Sequence, residues 1–139
     1  MSMFRIFDIA GSGLSAQTLR LNTVASNLAN AESVAPSEDA AYRARNPVFA
    51  AVFNQFATPA EAATAQVAVK GVVESQAPIT RRYEPGNPLA DENGFVYQSN
   101  VNIAEEMANM ISASRSYQTN VQVMNTTRQL IQATLRLGQ

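Results

Sequence analysis

The stretch Asn102–Leu137, NIAEEMANMISASRSYQTNVQVMNTTRQLIQATLRL, decides how the rest of the chain is read. It contains neither Pro nor Gly. Apolar residues recur three and four apart: Ile103, Met107, Met110, Tyr117, Val121, Met124, Ile131 and Leu135, with Ser114 and Arg128 interrupting the series. A spacing of about 3.5 predicts a helix whose apolar stripe faces another helix. At 1.5 Å per residue it runs about 50 Å, longer than a small globular domain needs. Asn102, with Glu105 three residues on, reads as a capping-box-like start.

A partner of matching length lies at the other end of the chain. From Met3 to about Asn30, the residues Phe7, Ala10, Leu14, Gln17, Leu21, Val24 and Leu28 step by three and four. Ser2 is a candidate cap. Gly11 and Gly13 each cost roughly 1 kcal/mol relative to Ala inside a helix. A break or kink is therefore expected there, with the firm helix from about Leu14 to Asn30. Gly11-Ser12-Gly13 lacks the third Gly, the preceding strand and the downstream acidic residue of a phosphate loop, and reads as a helix entry.

All six prolines fall between Pro36 and Pro88, so the chain divides into two helical arms and a punctuated middle. The expected organisation is an N-terminal arm over 1–31, a middle segment over 32–100 and a long C-terminal helix over 101–139. The fold class is mainly α: the arms form one coiled-coil-like helical core, and the middle is small, irregular and β-containing. Glu32 to Ala41 reads as a loop. Tyr42 to Phe56 is an apolar patch broken by Pro47, read as strand first and short helix later. Thr58-Pro59-Ala60-Glu61 fits a helix start. Gln66 to Tyr83 alternates as strands do, which predicts one or two small hairpins. Pro85-Gly86-Asn87-Pro88 and Asp91-Glu92-Asn93-Gly94 are turn signals.

Composition narrows the function. There is no Cys and no His, which removes thiol nucleophiles, the usual metal ligands and the usual general base. The net charge of −1, with nine Arg scattered rather than patched, gives no long-range attraction for nucleic acid or an anionic membrane. No run reaches the 18 or so apolar residues of a membrane span. Arg5 and Asp8 interrupt the first ten residues, so no cleavable export signal is read. By the usual routes such a chain stays in the cytosol; any other location needs a signal-independent exporter. Glu105 and Glu106 diverge by about 100° on a helix and do not form an acid–base pair. Asp91 and Glu92 sit in a predicted turn. No catalytic residue, cofactor, metal or small-molecule substrate is assigned.

The other face of the C-terminal helix is rich in Asn109, Ser112, Ser116, Gln118, Thr119, Asn120, Gln122, Asn125, Thr126, Gln129 and Gln132. Only Glu105, Glu106, Arg115, Arg128 and Arg136 are charged. A solvated coiled-coil surface carries many Glu and Lys, whereas uncharged amides and hydroxyls suit close packing on several sides. The same residues are poor helix formers, so both arms are expected to order on assembly. The alternative is a stable antiparallel hairpin of the two arms within one monomer, and periodicity does not choose between them.

Several motifs carry a family resemblance: Ser12-Gly13-Leu14-Ser15-Ala16-Gln17, Asn22-Thr23-Val24-Ala25-Ser26-Asn27-Leu28-Ala29-Asn30-Ala31, Pro85 to Tyr97, Asn100-Val101-Asn102, Glu106-Met107 and Arg115-Ser116-Tyr117-Gln118-Thr119-Asn120-Val121. Together they resemble the bacterial flagellar rod and hook axial proteins, and within them the short proximal-rod type. After Ala31, where that family often has a Thr-rich segment before a Tyr-Arg pair, this chain has Glu32–Ala41 and then Tyr42-Arg43. The resemblance implies a structural subunit of the flagellar basal-body rod, the periplasm-crossing driveshaft. It implies export without a cleaved signal peptide through the flagellar type III export apparatus. The terminal helices would form the channel-facing layer, and the partners would be copies of itself and other rod proteins. Direct membrane insertion is not expected.

On this reading Phe7, Leu14, Leu21, Val24 and Leu28 pack against Met107, Met110, Tyr117, Val121, Met124, Ile131 and Leu135. Asn27, Asn30, Arg115 and Asn120 are candidates for polar contacts between helices or subunits. The rival class is a cytosolic two-helix adaptor or secretion chaperone.

Overall fold

The computed structural model describes residues 3–53 and 65–137. The expected Ser2 cap and the Thr58-Pro59 helix start lie outside them. Two helices, α1 (Met3–Ala29) and α2 (Ile103–Leu137), flank five strands. These are β1 (Val34–Ala35), β2 (Arg45–Phe53), β3 (Ala65–Glu74), β4 (Thr80–Tyr83) and β5 (Phe95–Gln98).

α1 is unbroken through Gly11 and Gly13, which corrects the expected kink. The cause is tertiary. A Cβ at Gly13 would lie 2.8 Å from Nδ2 of Asn120, so the bare backbone there makes room for that side chain of α2. Packing along α2 outweighs the local propensity cost, as it does for most helices in proteins. The helix ends at Asn30, whose Nδ2 donates to the Ser26 carbonyl (2.8 Å), while the Ser33 hydroxyl donates to the Asn30 carbonyl (2.7 Å). These bonds occupy carbonyls that a helix C-terminus leaves open.

α2 begins as its sequence reads. Asn102 Oδ1 accepts from the amides of Ala104 (3.1 Å) and Glu105 (3.3 Å), an N-cap. Glu105 and Glu106 then lie in the first turn, where the helix dipole favours negative charge.

The strands form two separate sheets. One is antiparallel in the order β1-β5-β4, with Val96 of central β5 fully buried. The other is the ribbon β2–β3, paired from Arg45 opposite Glu74 to Phe53 opposite Ala65. Val48 faces Gly71 and Phe49 faces Val69, leaving Lys70 as a bulge in β3. The expected strands are thus present, but β3 and β4 pair with others rather than with each other. The strand expected after Tyr42 continues to Phe53 with no helix replacing it among the described residues.

The turn before β5 is built by Asp91, whose Oδ1 accepts from the amides of Asn93 and Phe95, both at 2.9 Å. Gly94 has a φ of 79°, and a Cβ there would also lie 2.9 Å from the Tyr83 ring. Only glycine suits that position.

The core is thin. Among the described residues nine hydrophobic ones are buried and seven of them are alanines: Ala10, Ala16, Ala31, Ala35, Ala41, Ala44 and Ala113, joined by Val24 and Val96. A buried methyl contributes much less than the roughly 1.5–3 kcal/mol of a buried Val, Leu or Phe, so one chain alone gains little from its own core.

Candidate assembly interface

α1 and α2 run antiparallel, as three contacts show. Gly13 sits against Asn120, Arg20 Nη2 donates to Asn109 Oδ1 (2.9 Å), and Asn27 Nδ2 donates to Glu106 Oε2 (3.0 Å). In α2 the residues turned inward are Glu106, Ala113 and Thr127, with Asn120 half-buried. They repeat every seven residues, the period of one face of a packed helix. In α1 the buried positions are Ala10, Ala16, Thr23, Val24 and Asn27. The line of contact is therefore made of small and polar side chains. Small residues let two helix backbones approach, and the hydroxyls need no partner across the gap. Thr23 donates to the Leu19 carbonyl (2.9 Å) and Thr127 to that of Val123 (2.8 Å), each four residues back on its own helix.

At the end of the seam lies a polar knot centred on Asn27, which is fully buried. Its Oδ1 accepts from the Arg45 amide (2.9 Å) and the Tyr42 hydroxyl (3.0 Å). Its Nδ2 donates to the Arg45 carbonyl (2.8 Å) and to Glu106 Oε2. All four hydrogen-bonding positions of the amide are used. Glu106 is itself buried and accepts a further, longer bond from Asn109 Nδ2 (3.4 Å). Asn100 holds the neighbouring backbone in the same manner, accepting from the Ala44 amide (2.7 Å) and donating to the Ala77 carbonyl (2.9 Å). Two side-chain amides thus grip the root of the β2–β3 ribbon.

The apolar stripe read from the sequence lies one position to the side of this line. Val24 is buried; Phe7, Leu14, Leu21, Leu28, Met110, Met124 and Ile131 are half-buried; Met107, Tyr117, Val121 and Leu135 are exposed. Asn27 and Asn120 meet the opposite helix, whereas the Asn30 side chain bonds within α1. Arg115 is exposed and makes no ion pair among the described residues. Ile111, Val123 and Leu130 extend the exposed apolar surface around α2, Ile111 at 59% and Leu130 at 56% of full exposure. The ribbon adds Val48, Phe49, Val52, Phe53, Val67, Val69, Val72 and Val73.

Glu106, Ala113 and Thr127 were not picked out by hydropathy, because none is strongly apolar. Their seven-residue spacing with Asn120 was the available signal. Among the described residues no group of acidic side chains is placed to hold a metal ion, and no helix is long and apolar enough to cross a membrane.

Comparison with known proteins gives a consistent picture. Residues 7–34 match the family described as flagella basal body rod protein. Residues 92–137 match the C-terminal family of the flagellar basal body rod FlgEFG proteins. The chain is 52% identical over 139 residues to the flagellar basal-body rod protein FlgC of Salmonella typhimurium, covering 100% of both chains. It is 50% identical over the same length to FlgC of Yersinia enterocolitica. Identity is 38% over 141 residues to FlgC of Buchnera aphidicola from Baizongia pistaciae, again over the full length of both.

Proposed function

The chain belongs to the FlgC family of flagellar basal-body rod proteins and is a structural subunit of the rod, and from that premise we propose how it builds the rod. The arms over 1–31 and 101–139 pack with those of neighbouring copies and of other rod proteins into a coiled-coil-like helical layer. That layer surrounds the export channel and transmits torque, with the segment over 32–100 outside it. The subunit reaches the periplasmic rod through the flagellar type III export apparatus without losing a signal peptide. It acts without catalysis, cofactor, small-molecule substrate, nucleic acid or insertion into the membrane. The adaptor or chaperone reading finds no support in the similarities.

One observation carries this reading: α2 is buried on a single line and leaves large apolar residues exposed to either side of it. Ile103, Met107, Ile111, Val121, Val123, Leu130 and Leu135 are all exposed in the single chain. Single exposed apolar residues are ordinary on a monomer, but so many along one helix mark an interaction surface. Neighbouring helices would cover these residues, and with only five charged side chains on α2 few ions need desolvating. Leu14, Leu21, Val121 and Leu135 are then contacts to neighbours or rims of the seam, and Arg115 and Asn120 polar contacts within the layer.

The test is a pair of substitutions, Leu21→Asp and Val121→Asp, each expected to abolish motility and to remove the chain from purified basal bodies. Each places an unpaired carboxylate in the packed layer. Normal motility in both would overturn this interface.

A further inference from the structure

The knot around Asn27 joins three separate elements of the chain, α1, β2 and α2. Arg45, the first residue of β2, exchanges both of its backbone hydrogen bonds with the Asn27 side chain, which stands in for a strand edge. The second proton on Nδ2 goes to Glu106, which α2 brings to the site. Glu106 Oε2 accepts that proton, so it favours the one orientation of the amide that also fits Arg45. Without α2 in place, that proton loses its carboxylate acceptor, and with α2 seated but no acceptor the buried donor would be left unsatisfied, which is costly.

We propose that Asn27 is a positioning residue that couples the pairing of α1 with α2 to the direction of the β2–β3 ribbon, Glu106 being the group through which α2 exerts its influence. The ribbon carries Phe49, Val52, Phe53, Val67, Val69 and Val72 exposed along its length. Its heading decides what those residues can meet. Asn100 grips Ala44 and Ala77 without contacting α2 in any hydrogen bond described above, so it fixes the root but does not sense the helix.

The chain has no native cysteine, which makes a two-reporter experiment direct. Gly13→Cys with Asn120→Cys reports helix pairing, since these positions touch. Asn46→Cys with Arg20→Cys reports the ribbon, since both residues line one open cleft between β2 and the helices. Each pair is treated with a short bismaleimide in the full chain in cells. Asn27→Asp replaces a donor by a carboxylate facing both Glu106 and the Arg45 carbonyl. The expected result is a ribbon cross-link reduced on the order of tenfold, with the helix cross-link retained. Adding Glu106→Gln returns a donor to the introduced carboxylate and is expected to recover part of the ribbon signal.

Loss of both cross-links in Asn27→Asp would reduce Asn27 to a stabilising residue and overturn the proposal. Retention of both, or loss of the helix signal alone, would also overturn it. Failure of Glu106→Gln to improve on Asn27→Asp would remove Glu106 from the coupling. Both cross-links lie within one chain, so the outcome is separate from the assembly reading that Val121→Asp tests.

Discussion

α1 and α2 have the same apolar period but opposite degrees of cover. From Arg5 onward, only Asp8, Ser15, Thr18, Asn22, Ala25 and Ala29 of α1 are exposed, a narrow polar stripe; α2 on one side and the β2–β3 ribbon on another cover the rest. In α2 only Glu106, Ala113 and Thr127 are buried. α1 is thus the element around which a single chain folds, and α2 is the element that the chain leaves unfinished. Periodicity records that a helix will be packed; it does not record whether the packing comes from its own chain or from another.

The sharpest way to break this comparison is to make one chemical change in both helices. Val24 is 3% exposed and Ile111 59% exposed. Val24→Asp buries an unpaired charge inside the chain, at a cost of several kcal/mol, and is expected to deplete the protein itself. Ile111→Asp is expected to leave the cellular level of the chain unchanged while removing it from purified basal bodies. Immunoblots of whole cells and of basal bodies separate the two. Equal depletion of both variants would show that α2 is already covered within the chain.

A smaller effect is expected where Gly13 meets Asn120. Gly13→Val places branched carbon where the first added atom already lies 2.8 Å from Asn120. Overpacking of this type costs about 1–3 kcal/mol, read as reduced motility. Asn120→Gly in the same chain opens the space and is expected to restore part of it. Non-additivity of the two changes is the signature of direct contact. The smallest effect belongs to Gly11, which has nothing within 4 Å. Gly11→Ala is expected to stabilise α1 by up to about 1 kcal/mol, seen as unchanged or slightly higher chain levels. A strong defect there would mean that a neighbouring subunit uses the space beside Gly11.

Much of the fold was legible. The cap at Asn102, the Asp91–Gly94 turn and the strands between Arg45 and Tyr83 follow from local chemistry that a short window contains. The continuity of α1 was not legible, because the reason for Gly13 is Asn120, more than a hundred residues away. Strand partners were hidden for the same cause: β4 and β5 pair across a long turn, and β2 and β3 across a stretch with no alternating pattern. At the candidate interface, hydropathy found residues such as Leu21 and Val121 that flank the seam or lie outside it. It passed over Ala113 and Thr127, whose value is their small volume and self-satisfied hydroxyl. Asn27 was read as a contact between helices, but its grip on Arg45 depends on a chain reversal that no periodicity encodes.

The bare backbone at Gly13 has a further meaning for manufacture. In a tube built from many identical helix pairs, the spacing of each pair is a machined dimension. An excess of a few tenths of an ångström in one pair is trivial, but identical parts carry identical errors, and errors of one sign add around a ring. Glycine at position 13 makes one wall of this gap out of main-chain atoms, which cannot choose another rotamer, so only the Asn120 side chain opposite can take up an error. The gauge here is held on one side by a residue with no side chain to vary.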